Sequence, residues 1–171
     1  MAKTYLKEIE LDDLNILSAM IKDFWKTQIY EASKADILDD IRKFLSKKSC
    51  SYLIVYEDNI AGFIYVNEKY GYLNNIEYLY VRDEFRGKGL GKFALTKIKE
   101  ILLSRGEHRV QIEVNPAATS NIKLYHDLGF DNIDTITLST NIIGEKEDIE
   151  MFGMTFKVNK AKLFKKKYSD E

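Results

Sequence analysis

The residues best suited to chemistry fall in one stretch, Leu73 to Gly91, which reads LNNIEYLYVRDEFRGKGLG. It starts as a strand, ends in a glycine-rich turn and runs into a helix. Arg86-Gly87-Lys88-Gly89-Leu90-Gly91 offers successive backbone N–H groups with almost no side-chain obstruction. Glycine lets the chain turn tightly and lets a ligand approach the backbone. The following helix adds unsatisfied first-turn N–H groups and the positive end of its dipole. Arg86 and Lys88 add full charges, so the turn is suited to phosphate. A Walker A loop would need Gly five residues before Gly91-Lys92, where Arg86 stands, and Ser or Thr after it, where Phe93 stands. The dinucleotide fingerprint would need Gly at Lys92. Both fail, and R-x-x-G-x-G between strand and helix remains. A glycine-rich turn without a ligand explains the run less well, because glycines at alternate positions are entropically costly.

The elements that must position this loop follow from periodicity. Residues 3–10 alternate weakly as a first strand. Asp12 or Asp13 can cap a helix with apolar positions Leu14, Leu17, Ile21 and Phe24. Ser33 with Asp36 forms a capping-box pattern for a second helix through Ile37, Ile41, Phe44 and Leu45. Tyr52–Tyr56 reads as a buried strand, Asp58-Asn59 as a hairpin turn, Ile60–Val66 as its partner, and Tyr70-Gly71 as the turn into the central strand. Beyond the glycines, Leu90, Ala94, Ile98, Ile101 and Leu102 mark a helix that Gly106 ends. Val110, Ile112 and Val114 give a strand, parallel to the central one across the helical crossover and stopped by Pro116. Thr119 or Ser120 can cap a short helix through Leu124 and Leu128, closed by Gly129. Ile136 and Leu138 alternate with threonines. After a polar loop, Gly144–Asp148, residues Ile149 to Val158 suggest a last strand bulged at Gly153.

Composition bounds the function. At 171 residues the chain fits one domain. Its 45% hydrophobic and 31% charged residues are ordinary for a globular protein. A formal net charge of -1 argues against a nucleic-acid partner. The single cysteine, Cys50, excludes an internal disulfide framework and fits a reducing compartment. No apolar run approaches the roughly 20 residues of a membrane span, and the N-terminus shows no secretory signal. The expectation is a cytoplasmic protein with no membrane partner. His108, His126 and Cys50 are too few and scattered for a metal site, so none is expected.

The element order β-α-α-β-β-β-α-β-α-β-β and two motifs resemble the GNAT superfamily of acyl-CoA-dependent N-acetyltransferases. Glu77-Tyr78-Leu79-Tyr80-Val81, the turn Arg82–Phe85 and the glycine loop resemble motif A. Val114-Asn115-Pro116 with Leu124-Tyr125-His126-Asp127-Leu128-Gly129-Phe130 resembles motif B. The chain departs where the family's helix commonly starts with Asn, here Ala118, and at a usual Ala, here Asn121. The implied side-chain cap and cofactor contact are therefore either missing or shifted to Thr119 or Ser120. The resemblance implies a mixed α/β (α+β) fold, with a mostly antiparallel sheet of about seven strands, helices on both faces and a splayed central parallel pair. It implies one acyltransferase domain over residues 1–158, followed by a lysine-rich tail at 159–171. The E-x-L-Y-V strand also looks like that of polyamine acetyltransferases.

The resemblance also implies chemistry. Acetyl-CoA, as co-substrate, would be held by Leu79, Tyr80, Val81, Arg86, Gly87, Lys88, Gly89, Leu90, Gly91, Lys92, Asn115 and Ser120. Its pantetheine arm would lie along Leu79–Val81 as an added strand. A bulge in that strand would splay it from its parallel neighbour, and an N–H near Leu79 would stabilise charge on the thioester oxygen as a tetrahedral intermediate forms. A primary amine, on a small molecule or peptide, arrives protonated at its ordinary pKa of about 10.4. Glu77 can take that proton through water, although its carboxylate also suits simple attraction of a cationic substrate. Tyr125 can protonate the thiolate leaving group, although it also fits the helix's apolar stripe with Ile122 and Leu128. Glu31, Asp36, Asp39 and Asp40 could attract a cationic amine, or simply form a solvated face. The alternative is a non-catalytic CoA-binding or regulatory module. Either would act as monomer or homodimer.

Overall fold

The computed structural model describes residues 3–28, 30–46, 49–69, 71–140 and 146–159. Tyr70 of the expected Tyr70-Gly71 turn, residues 141–145 of the polar loop and tail residues 160–171 lie outside them. The chain forms two compact units: Met1–Phe24 with Ala32–Glu113, and Trp25–Glu31 with Val114–Glu171.

The first unit holds β1 (Thr4–Glu8), most of α1 (Leu14–Thr27), α2 (Lys34–Phe44), β2 (Cys50–Tyr56), β3 (Asn59–Lys69), β4 (Tyr72–Val81), α3 (Leu90–Ser104) and β5 (Gln111–Ile112). Its sheet has the order β1-β2-β3-β4-β5. Neighbours are antiparallel except β4 and β5, which run parallel across the α3 crossover. That pair meets only at Asn75–Gln111 and Ile76–Ile112.

Side-chain alternation assigns the faces. Phe63 lies opposite Tyr80 and Tyr65 opposite Tyr78, and these rings pack against Phe24 of α1 and Phe44 of α2. Leu79, between the two tyrosines, points the other way, and its Cδ2 lies 3.9 Å from the position of a Cβ on Gly91 in α3. Helices therefore cover both faces. Leu17, Met20 and Ile21 fill the core on one side and Leu95, Ile98 and Leu102 on the other. Each contributes about 1.5–3 kcal/mol through burial. Ser33 caps α2 as expected: Asp36 N–H donates to Ser33 Oγ, and Ser33 N–H to Asp36 Oδ2.

Several local expectations are corrected. Asp13 lies in a short 3-10 turn, Leu11–Asp13, ahead of α1, where its carboxylate accepts from Glu10 N–H. The β2–β3 turn is Glu57-Asp58, not Asp58-Asn59; both residues have positive φ (47° and 62°), and Asn59 Nδ2 donates back to Glu57 C=O. In the second unit, α4 spans Thr119–Asp127. Residues 131–139 form no regular structure, so no strand exists at Ile136 and Leu138. The last stretch is a hairpin, β6 (Lys146–Met151) with β7 (Met154–Asn159), and Phe152-Gly153 is its turn rather than a bulge. The expected strand count of seven therefore divides between a five-stranded sheet and this two-stranded one.

Candidate active site

β4 carries the first set of candidate residues. Its register with β3 jumps from Tyr65–Tyr78 to Val66–Ile76, which leaves Glu77 as an extra, unopposed residue: a β-bulge. Pairing with β5 stops at Ile76, directly before it. From Glu77 to Val81, β4 therefore has no strand on its β5 side among the described residues. This is the splay and the bulge expected of the central strand. Leu79 and Val81 are half-buried and Tyr80 is buried, while Glu77 is exposed.

Glu77 Oε2 accepts from Asn67 Nδ2 at 2.6 Å, and Asn67 Oδ1 accepts from Asn75 Nδ2 at 2.8 Å. Asn67 and Asn75 escaped the sequence reading. Their signal was polar amides inside otherwise apolar strands, where Asn is depleted. The charge of Glu77 reaches the aromatic cluster. Burial first, then Glu77, pushes the Tyr65 phenol up to about 12, and burial with Asp40 and Glu77 raises that of Tyr78. Tyr78 Oη donates to Asp40 Oδ1 at 3.4 Å. Of the acidic residues expected to attract an amine, Asp36 caps α2, and Asp39 and Asp40 both bind Lys43 Nζ (3.2 and 3.0 Å).

The glycine loop leaves β4 through a 3-10 turn, Asp83–Phe85. Gly87 and Gly89 have φ of 75° and 76°, a left-handed conformation that side chains disfavour, and a Cβ on either would meet nothing within 4 Å. Gly89 is the N-cap of α3, without a side-chain cap. Phe93 N–H donates to Gly89 C=O, but among the described residues no acceptor reaches the N–H groups from Gly87 to Lys92. A row of donors without acceptors among the described residues, at a helix N-terminus, suits a diphosphate. Arg86 is held in place, donating Nε to Val81 C=O and pairing with Asp83 at 2.8 Å. Lys88 Nζ lies over the Tyr56 and Phe85 rings, 4.8 and 5.4 Å from their centroids. Lys92 is exposed on the first turn of α3.

In the second unit, Asn115 Oδ1 accepts from Ala117 N–H at 2.9 Å and shapes the turn into α4. The N-cap of α4 is Ala118, with no side-chain cap; Thr119 and Ser120 lie in the first turn, exposed. Tyr125 is half-buried, its ring 6.1 Å from that of Phe130. Burial raises its phenol above the ordinary range, so it is protonated at neutral pH. The cavity of about 420 Å³ between the start of β4 and the turn after α3, bordered by Tyr72, Asn74, Gly106 and Arg109, includes none of the predicted residues. It lies at the opposite end of β4 from the loop.

The profile of the Acetyltransferase (GNAT) family matches residues 17–130, which include the glycine loop and Tyr125. The chain belongs to the GNAT acetyltransferase family. It is accordingly an acetyl-CoA-dependent N-acetyltransferase. Solved structures agree on the fold of this GNAT protein. Aminoglycoside N-acetyltransferase AAC(6')-Iy, in complex with CoA, is 15% identical with a TM-score of 0.67, over 82% of this chain and 96% of that one. Ribosomal-protein-alanine N-acetyltransferase from Brucella melitensis biovar Abortus is 14% identical with a TM-score of 0.61, over 85% and 100%. A transcriptional regulator from Bacillus halodurans is 17% identical with a TM-score of 0.64, over 82% and 100%. Among the described residues, no helix is long and apolar enough to cross a membrane.

Proposed function

We propose that residues 1–158 act as a single acyltransferase domain, in the cytoplasm, acetylating a primary and preferably cationic amine of a small molecule or peptide. The amides from Gly87 to Lys92, with Arg86, hold the coenzyme's diphosphate. The free edge at Leu79, Tyr80 and Val81 takes its pantetheine arm, and Asn115 and Ser120 add polar contacts. Glu77 attracts the ammonium group and receives its proton through water. The neutral amine then attacks the thioester carbonyl. The N–C bond forms, the C–S bond breaks, Tyr125 gives its proton to the departing thiolate, and the Tyr125 phenolate recovers a proton, through water, from the newly acylated nitrogen. An N–H near Leu79 stabilises the transient oxyanion. The enzyme works as monomer or homodimer.

The observation that carries this reading is the row of amides from Gly87 to Lys92 without acceptors among the described residues, directly after a strand edge left open beyond Ile76. The test is thiol release from acetyl-CoA across a panel of amines that includes polyamines. Tyr125→Phe and Glu77→Gln are each expected to lower kcat by about 10²-fold or more, the usual scale for losing a general acid or base. Tight CoA binding with no amine raising thiol release would overturn the reading in favour of a non-catalytic module.

A further inference from the structure

We infer that Asn67 is a positioning residue that fixes the Glu77 carboxylate in its ionised form, and that Asn75 in turn holds Asn67. The inference rests on Glu77 being the proton acceptor. As the bulged residue of β4, Glu77 has no partner opposite it in the register with β3. Asn67 supplies a side-chain hold, with its Nδ2 2.6 Å from Glu77 Oε2. Asn75, directly opposite Asn67 in the register, donates Nδ2 to Asn67 Oδ1 at 2.8 Å.

This chain has one direction. An ionised carboxylate only accepts, so Glu77 demands a donor from Asn67. That turns the carbonyl of Asn67 toward Asn75 and demands a donor there too. The far end shows the consequence: Asn75 is 7% exposed, and its Oδ1 has no hydrogen-bond partner. Buried acceptors are rarely left unpaired. Flipping Asn75 would set carbonyl against carbonyl, and flipping Asn67 as well would set a carbonyl against the carboxylate. The orientation is dictated from the Glu77 end. A donor to the charged form favours that form, so Asn67 lowers the pH at which Glu77 becomes able to take a proton.

The titratable groups clustered here are Tyr65 on β3, Tyr78 on β4, and Asp39, Asp40 and Lys43 on α2. Tyr65 and Tyr78 are held above the ordinary phenol range and Lys43 above the ordinary lysine value, so these three keep their charge state through a neutral assay.

The experiment measures kcat and KM for thiol release against pH, using the best amine of the panel, in Asn67→Leu, Asn67→Asp, Glu77→Gln and Asn67→Leu/Glu77→Gln. Asn67→Leu is expected to lower kcat about tenfold, leave the acetyl-CoA KM within about twofold, and move the acidic limb up by about 0.5 pH unit. Asn67→Asp, nearly isosteric and so the safeguard against misfolding, places a like charge beside Glu77 and moves the limb further up. On the Glu77→Gln background, Asn67→Leu should cost nothing more. An unchanged rate in Glu77→Gln, or no thiol release with any amine, overturns the role of Glu77 and this inference together. A slow Glu77→Gln beside an unmoved acidic limb in both Asn67 variants, or an equal loss in both backgrounds, overturns the inference alone.

Discussion

Replacing Gly89 with alanine separates a loop that merely turns from one that holds a ligand. Gly89 sits at φ 76° and ψ 9°, and an added Cβ meets nothing within 4 Å, so the expense is backbone strain alone. Holding a non-glycine residue there costs about 1–2 kcal/mol. For a chain of this size each kcal/mol lowers Tm by about 2–4 °C, which predicts a fall of about 2–8 °C. Gly71 is a matched control: its φ is 84°, and its Cβ position is also open. It precedes the first residue of β4, so the ten-residue strand, about 30 Å of chain, separates it from the loop. Gly71→Ala should therefore unfold at a similarly lowered temperature. Only Gly89→Ala should weaken CoA, because relief of its strain swings the Gly89 and Leu90 amides away. A hydrogen bond to a charged acceptor is worth about 1.5–3 kcal/mol. Losing one corresponds to roughly 10- to 100-fold in Kd. Calorimetric titration of CoA into both variants, with parallel thermal melts, reads both quantities. Gly89→Ala binding CoA within about twofold of wild type, or Gly71→Ala losing as much as Gly89→Ala, would refute the assignment of the loop.

Two further outcomes test the scaffold. In Gly62→Ala the new Cβ would stand 2.1 Å from the Tyr80 carbonyl oxygen and 3.0 Å from Val81 Cα, both backbone, so β3 and β4 must part. Loss of soluble protein, or a Tm roughly 10 °C lower, is expected, and a wild-type melt would contradict the close approach. Asp13 is 6% exposed; burial opposes its charge, but the Lys7 ammonium at 2.7 Å and Glu10 N–H outweigh that and hold its pKa below normal. A lowered folded pKa gives stability that is present above the unfolded value of about 3.9 and lost as pH falls through the folded one. The Tm gap between wild type and Asp13→Asn should be full at pH 7 and close below about pH 4. A gap constant down to pH 3 would contradict this.

Local signals carried much of the fold. The Ser33–Asp36 box, the apolar stripe of α3 and the strand–glycine–helix junction are each written within a few adjacent residues, and each appears as expected. Signals that need a partner were misleading. Ile136 and Leu138 alternate like a strand, yet they are 47% and 70% exposed and lie in a stretch that forms no strand. Periodicity reports a face only when something covers it. Gly153 reads equally well as a bulge or a turn, and only the pairing of Met151 with Met154 decides. At the site, Glu77, Leu79 and the glycines stand out by type. Asn67 does not, because its partner lies ten residues away, on the neighbouring strand.

The bulge at Glu77 connects these observations. In sequence, Glu77-Tyr78-Leu79-Tyr80 alternates without a break, and strict alternation would put Glu77 on the face of Leu79, toward α3. Its Oε2 instead accepts from Asn67 Nδ2, and Asn67 lies two residues along β3 from Tyr65, on the face packed by α1 and α2. An extra residue re-aims the side chain and bends the strand. Pairing with β5 ends one residue before it, and the open edge runs from there to the glycine loop. The bulge in β4 thus lies where the two halves of the proposed site meet: the edge proposed for the coenzyme's arm begins beside it, and it turns the carboxylate proposed to meet the amine. The turn of the carboxylate would not survive restoring regular register, because it depends on that unopposed residue.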